Sequence, residues 1–267
     1  MSLQTAQLNG EPADAAALRA LALVNYGHFT SMRVVDGAVR GLELHLSRLH
    51  AATTELFGVA LDLERVRGWM RRAIAPADGA LWLRVTVFSR AFRREHPAAP
   101  AEVDVLVTTS AAPATPAVPL RVRSVRYQRE APHIKHVGTF GLFHQRRLAQ
   151  LAGYDDALFV DAAGAVSEGS VWNVGFFDGA RVVWPDAPAL QGVSMQLLQQ
   201  GMQALGLPTA VERVELASLK RYRAAFFTNA ACTAMPIATI DAQAYARDAA
   251  LEERLHACMA LHAPTPI

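Results

Sequence analysis

Apolar residues at Leu42, Leu46, Leu49 and Leu56 fall on one face of a helix, and Gly58 stands where a left-handed residue would end it. Residues 42–57 are therefore read as a helix. The β-rich run 29–35 precedes it and closes on Asp36-Gly37, a dipeptide that tolerates positive φ and so favours a tight hairpin. A second helical pattern covers about 61–74. Strands follow at 81–88 and 103–109, separated by an arginine-bearing loop at 89–96. Pro113, Pro116 and Pro119 deny the next stretch both a helix and a strand ladder, which makes 113–119 a linker and a domain boundary.

Beyond the linker the pattern gives a strand at 120–127, then Lys135 just ahead of a helix over about 137–152 that stops at Gly153. Strands are expected at 157–160 and 174–177, and Asp178-Gly179 turns the second into another at 181–184. Ser194 is the expected N-cap of a helix running to 205, and Gly192 before it lets backbone approach a ligand closely. A strand, a short helix, strands at 225–228 and 236–240 and a terminal helix over about 247–261 complete the chain. The expected architecture is α/β (α+β) with two domains. A small N-terminal α/β domain covers 1–112, and a larger strand-rich C-terminal domain covers 120–267.

Composition narrows the function. With 267 residues and 52% hydrophobic content the chain can bury a large core unaided. Cys232 and Cys258 are too far apart to suggest a disulfide framework or a metal-binding spacing, so no metal is expected and a reducing compartment is the simplest assignment. No segment reads as a secretory leader or a bilayer span, and the expected location is cytoplasmic, away from membranes. A net charge of +2 gives no nucleic-acid footprint. Of the 26 basic residues all but Lys135 and Lys220 are arginine. A GC-rich coding bias explains most of this. Within such a bias, a surviving lysine is a candidate for what arginine cannot do, which is to lose its proton and form an imine.

Three sets of residues can carry chemistry. Lys135 lies between a strand and a helix, where a side chain can enter a cleft; a surface lysine is the alternative. Glu168, in Val166-Ser167-Glu168-Gly169-Ser170, falls between two expected strands with Asn173 close by. A carboxylate held there can pair with a ring nitrogen, although taken alone it reads as a turn glutamate in water. For an anion, Arg48 offers a bidentate cation, and Gly192-Val193-Ser194 offers backbone N–H groups and a hydroxyl at a helix N-terminus. A solvated helix arginine and an ordinary cap are their plainer readings.

In order and spacing these pieces resemble the class IV aminotransferases. These are the fold-type IV pyridoxal enzymes, which include branched-chain aminotransferase, D-amino-acid aminotransferase and aminodeoxychorismate lyase. The resemblance runs from about Tyr26 to Asp241 and is strongest from Ile134-Lys135 to Glu168-Gly169-Ser170, with an interval of 33 residues between lysine and glutamate. It implies pyridoxal 5'-phosphate as cofactor, Lys135 as the lysine that bonds it and shuttles the proton, and Glu168 as the partner of the pyridine nitrogen. It makes Arg48 a phosphate arginine in His45-Leu46-Ser47-Arg48-Leu49, and Val193-Ser194 the phosphate turn. Asn229, Ala230 and Ala231 then match the loop near the phosphate and the substrate carboxylate. Phe29, Thr30, Arg33, Arg90 and Trp172 are candidate substrate contacts, with a solvated charge run as the alternative for Arg90 and its neighbour Arg93.

The match has departures. Phe29-Thr30 replaces the Phe-Glu of many transaminases, Phe140 stands where branched-chain enzymes have a tyrosine, and Ala230 stands where they have a threonine. The pairs Phe29-Thr30, Lys135-His136 and Asn229-Ala230 resemble aminodeoxychorismate lyase instead. The resemblance therefore implies transamination between an amino acid and a 2-oxo acid by a homodimer. The alternatives are pyruvate elimination from aminodeoxychorismate to give 4-aminobenzoate, or a binding protein that keeps the fold. The sequence has no glycine-rich dinucleotide turn that would favour hydride transfer.

Overall fold

The computed structural model describes residues 3–75, 79–114 and 118–267. The middle of the expected linker, residues 115–117, lies outside them. By their contacts the residues form two units. The first contains β1 (Leu3–Leu8), β2 (Glu11–Pro12), α1 (Ala15–Val24), β3 (Gly27–Val35), β4 (Ala38–Val39), α2 (Leu42–Phe57), α3 (Leu63–Ile74), β5 (Ala80–Phe88) and β6 (Asp104–Ala111). The second contains β7 (Leu120–Arg126), α4 (Phe140–Leu151), β8 (Asp156–Val160), β9 (Val166–Gly169), β10 (Asn173–Phe177), β11 (Val182–Pro185), α5 (Val193–Ala204) and β12 (Thr209–Glu212). It continues through a 3-10 turn (Leu216–Arg221), β13 (Ala224–Asn229), β14 (Cys232–Ile240), β15 (Gln243–Ala244) and α6 (Ala249–Ala260). Two segments beyond residue 120 pack with the first unit: Ile134–Gly138, and Ala263–Ile267 with its strand β16 (Thr265–Pro266).

The first unit is an antiparallel sheet in the order β16-β4-β3-β5-β6-β1-β2. Met32 and Val34 of β3, Leu83 and Val85 of β5 and Val105 and Val107 of β6 form one core with Leu42, Leu46 and Leu49 of α2 and with Val66 and Met70 of α3. Helix α2 ends as its glycine dictates: Gly58 takes φ 68°, and its N–H reaches back to the Thr54 carbonyl at 3.0 Å. The turn before α2 also has the expected form, with positive φ at Asp36 and Gly37. The two ends of the β3 edge are filled differently. β4 pairs only with Val34 and Val35, at the far end of β3. Residues 135–137 instead line the beginning of that edge, with Phe29 N–H on the Lys135 carbonyl and Val137 N–H on the Gly27 carbonyl, both at 2.9 Å.

The second unit is a nine-stranded mixed sheet. Its main path is β12-β11-β10-β13-β14-β7-β8-β9, and β15 pairs with β14. Val122, Leu158, Val174, Phe176, Val183, Phe227 and Ile237 belong to its main core. Three expectations change here. Glu168 is inside a strand, β9, because Leu158 pairs with Gly169 and Val160 with Val166. Helix α4 starts at Phe140 instead of about 137, since Val137 is occupied by its pairing with Gly27. Helix α5 is capped by Gly192 in extended conformation with no side-chain cap, so Ser194 lies inside the first turn. β1, β2 and α1 have no counterpart among the elements expected from the pattern.

Two helical glycines give opposite expectations. A Cβ at Gly201 would sit 2.4 Å from the Cys258 carbonyl oxygen, where α5 meets α6, while a Cβ at Gly68 in α3 meets nothing within 4 Å. Gly201→Ala is expected to lower unfolding stability by about 1–3 kcal/mol, against alanine's better helix propensity. Gly68→Ala is expected to raise it by about 1 kcal/mol. Denaturant titration of both variants checks the pair, and equal signs would mean the α5–α6 approach is looser than described.

Candidate active site

In the first unit the polar groups collect at the beginning of β3. Side chains alternate along a strand, so His28, Thr30, Met32 and Val34 share the face packed on α2, and toward the start of β3 that face turns from apolar to polar. On α2, His45 and Arg48 are three residues apart and lie on one side of the helix. Thr30 has no exposed surface. Its hydroxyl accepts from Arg48 Nη2 at 2.7 Å and lies 2.6 Å from His45 Nδ1. Nearby, His28 Nε2 lies 3.0 Å from Thr53 Oγ1, and the Thr53 hydroxyl donates to the Leu49 carbonyl at 2.9 Å. The threonine's one hydrogen is thereby used, so His28 is the donor.

Both imidazoles are held neutral. Burial, aided by the Arg48 charge, draws His28 down to about 4. Burial draws His45 well below the usual histidine value, with smaller contributions from the charges of Arg48 and Lys135.

Lys135 is half-buried and directed by the pairing of its segment on β3, in which His136 stands opposite His28. Its Nζ lies 5.0 Å from the centre of the Phe29 ring, and the Arg84 guanidinium carbon lies 3.6 Å from the same centre. The pattern of the sequence did not single out Arg84. It is half-buried on β5, donates from Nε to Thr86 Oγ1 at 3.2 Å, and faces no carboxylate among the described residues. Burial lowers its pKa. The signal was present, since an arginine within the apolar strand 81–88 is costly unless something uses it.

Of the other first-unit candidates, Arg33 is exposed on β3. Arg90 is exposed and engaged by Asp104, through its backbone N–H at 2.9 Å and Nη2 at 2.8 Å. At the beginning of β3 the structure sets Lys135 against Phe29 and Arg48 against Thr30, and it leaves Arg33 and Arg90 exposed.

In the second unit Glu168 is buried, 5% exposed. One carboxylate oxygen is 3.5 Å from Arg129 Nε and the other accepts the Leu190 N–H at 3.2 Å. Arg129, also buried and also missed by the sequence reading, donates from Nη2 to the Pro132 carbonyl at 2.7 Å. Asn173 Nδ2 donates to the Leu190 carbonyl at 2.8 Å, and a Cβ at Gly192 would collide with Asn173 Oδ1. Glu168 and Asn173 thus clamp the loop that delivers Val193 and Ser194 to the start of α5.

The Ser194 hydroxyl donates to the Asn229 carbonyl at 2.8 Å, so its side chain ties α5 to the β13–β14 turn. Asn229 Oδ1 accepts from Ala231 and Cys232 N–H at 2.9 and 3.0 Å and shapes that turn, leaving Ala230 and Ala231 half-buried. Trp172 is a core side chain, packed on Gly169 and 5.6 Å from the Phe227 ring. Its Nε1 donates at 2.8 Å to Asp156, a buried carboxylate that also takes Ser170 and Arg146. Trp172, a candidate substrate contact in the sequence, is 4% exposed and sits in the core of the second unit.

The neutral histidines predict an acid response. A histidine whose folded pKa is lowered binds fewer protons than the unfolded chain, so stability falls as pH drops from about 6.5 toward the folded value. For His28 the loss is expected to reach on the order of 3 kcal/mol by pH 4. Urea unfolding of wild type and His28→Gln between pH 7 and 4.5 reads this out. The variant is expected to show the shallower dependence, and an identical slope would mean that His28 titrates normally.

No helix among the described residues is long and apolar enough to cross a membrane, and no group of three or more His, Cys, Asp or Glu is placed to hold a metal ion. The family model for amino-transferase class IV matches residues 27–240. A probable branched-chain-amino-acid aminotransferase of Rickettsia felis is 30% identical over 97 residues, which is 36% of this chain and 33% of that protein, so the match spans about a third of the curated relative. Among solved structures, the branched-chain aminotransferase from the thermophilic archaeon Thermoproteus uzoniensis, with norvaline, superposes with TM-score 0.83 at 18% identity, over 96% of this chain and 94% of that one. A fold IV-transaminase from Curtobacterium pusillum gives TM-score 0.79 at 23% identity, over 93% of both chains. These structural likenesses show the fold, and the family model, spanning most of the sequence, shows that the chain belongs to the class IV aminotransferases.

Proposed function

We propose that the protein is a pyridoxal 5'-phosphate-dependent transaminase that moves an amino group between an amino acid and a 2-oxo acid. The observation that carries the reading is the backbone pairing of residues 135–137 on β3, which sets the Lys135 amine 5.0 Å from the centre of the Phe29 ring, next along the strand to Thr30, whose hydroxyl takes Arg48.

The donor set fits the cofactor. An aromatic aldehyde with a basic ring nitrogen and a phosphate asks for an amine, a buried carboxylate and an anion site. The first unit supplies Lys135 and Arg48, and the second supplies Glu168 and the N-terminus of α5, where Gly192 has no room for a Cβ. When bound, the ring acts as an electron sink for charge developing at the substrate α-carbon. In this reading Lys135 holds the cofactor through its amine and then carries the proton to and from that carbon. Glu168, buried beside Arg129, keeps a negative charge against the ring nitrogen. Arg48 in the first unit, and Val193 and Ser194 in the second, with Asn229 and Ala230 on the turn that Ser194 bonds, are the phosphate residues that the family resemblance implies. Arg84, stacked on Phe29, binds the substrate carboxylate.

A homodimer is part of the same reading and rests on the family resemblance, and a cytoplasmic location rests on the cysteine usage of the sequence. The lyase alternative rests on Phe29-Thr30, Lys135-His136 and Asn229-Ala230 and is distinguished by its product.

Incubation of the holoenzyme with a panel of amino donors is expected to shift its visible absorption to the aminated cofactor form, restored by a 2-oxo acid. Pyruvate release from aminodeoxychorismate, with no 2-oxo acid consumed, would assign the lyase instead. Glu168→Gln is expected to keep the cofactor bound and slow the half-reaction on the order of 10²-fold, and unchanged turnover would remove Glu168 from this role. Arg84→Gln is expected to raise KM for the amino acid about tenfold with kcat nearly kept. An unchanged KM would place the carboxylate elsewhere.

A further inference from the structure

Thr30 has no exposed surface, so its hydroxyl reaches no ligand directly. It nevertheless sits between two groups of the site, and its hydrogen can be assigned. The guanidinium of Arg48 is always a donor, so the 2.7 Å contact makes Thr30 Oγ1 an acceptor. The hydroxyl hydrogen then needs its own acceptor. Among the described residues His45 Nδ1, at 2.6 Å, is the only side chain or backbone atom that Thr30 Oγ1 contacts besides Arg48. His45 is buried and neutral, with burial the largest cause, so Nδ1 has a lone pair to offer and the ring proton sits on Nε2. The result is a directed chain, Arg48 to Thr30 to His45, in which each member has one role.

We propose that Thr30 and His45 are positioning residues for the cofactor phosphate, acting through Arg48. This rests on the reading that Arg48 takes that phosphate. Arginine has a long, flexible side chain, and orienting it before the ligand arrives removes part of the cost of binding. Anchoring one terminal nitrogen on a buried hydroxyl fixes the plane in which the rest of the fork is presented to an anion. The two elements involved are rigid. Thr30 lies on β3, paired with Val85 of β5, and His45 and Arg48 share one turn of α2. The same β3 edge carries the Lys135 pairing, so one strand sets both the amine and the guanidinium.

The test uses two ligands on protein stripped of cofactor: pyridoxal 5'-phosphate and pyridoxal, which lacks the phosphate. Dissociation constants come from the absorbance of the adduct. Thr30→Val, close in shape, is expected to weaken pyridoxal 5'-phosphate about five- to tenfold and to leave pyridoxal within about twofold. Thr30→Ser restores the wild-type ratio. His45→Leu repeats the loss and His45→Asn, which keeps an acceptor, recovers it, so the proposal does not depend on one variant folding. In an Arg48→Ala background Thr30→Val adds nothing. Equal weakening of both ligands, or no weakening of either, overturns the proposal. If Arg48→Ala itself leaves the ratio of the two constants unchanged, the phosphate reading of Arg48 fails and the proposal falls with it. If Arg48→Ala collapses the ratio while Thr30→Val does not move it, only the positioning role is lost.

Discussion

The placement of the Lys135 amine depends on a short antiparallel pairing, residues 135–137 against the beginning of β3. β4 covers only the far end of that strand edge, and the two N–H to carbonyl bonds made by Phe29 and Val137 take up part of the rest. An unpaired strand edge leaves backbone groups without partners, so the chain gains by filling it, and filling it with this segment directs Lys135. The lysine's place is therefore a property of the sheet, fixed by main-chain hydrogen bonds that any residue but proline at 29 and 137 can make.

The same strand explains the electrostatics. The face of β3 that is apolar at Met32 and Val34 becomes polar at Thr30 and His28, and α2 answers with His45, Arg48 and Thr53. Burying polar groups is costly unless each is satisfied, and here the two threonine hydroxyls pass hydrogen bonds onward. Neutral histidines add no further charge to a region that already holds the Arg48 and Arg84 guanidiniums. The second unit uses the opposite sign. A buried carboxylate, Glu168, is matched by the buried Arg129 and by a backbone N–H, and the loop it holds leads straight to the start of α5.

Much of the fold was legible because its signals are local. Gly58 ends α2 where the apolar period stops, Asp36-Gly37 turns β3, and Asp178-Gly179 turns β10, with Asp178 accepting the N–H groups of Ala180 and Arg181. What was not legible depends on partners far away in sequence. Nothing near Ile134–Gly138 indicates that it pairs with residues a hundred positions earlier, nor that Val166–Gly169 becomes a strand. Among site residues, Lys135 and Glu168 stand out by spacing and resemblance. Arg129 and His45 do not stand out, because each reads as an ordinary member of a loop or helix until its burial is known, and Arg84 shows only as a charge within an apolar strand. Ser194 reads as a cap by its residue type, whereas the extended Gly192 takes that position and frees the serine to bond Asn229.

The amine directed by β3 is the one expected to bond the cofactor. The most direct test is borohydride reduction of the protein loaded with pyridoxal 5'-phosphate, followed by proteolysis and mass spectrometry of the modified peptide. A single phosphopyridoxyl group on Lys135 is the predicted result. Modification of Lys220, of the N-terminal amine, or of neither lysine would contradict it.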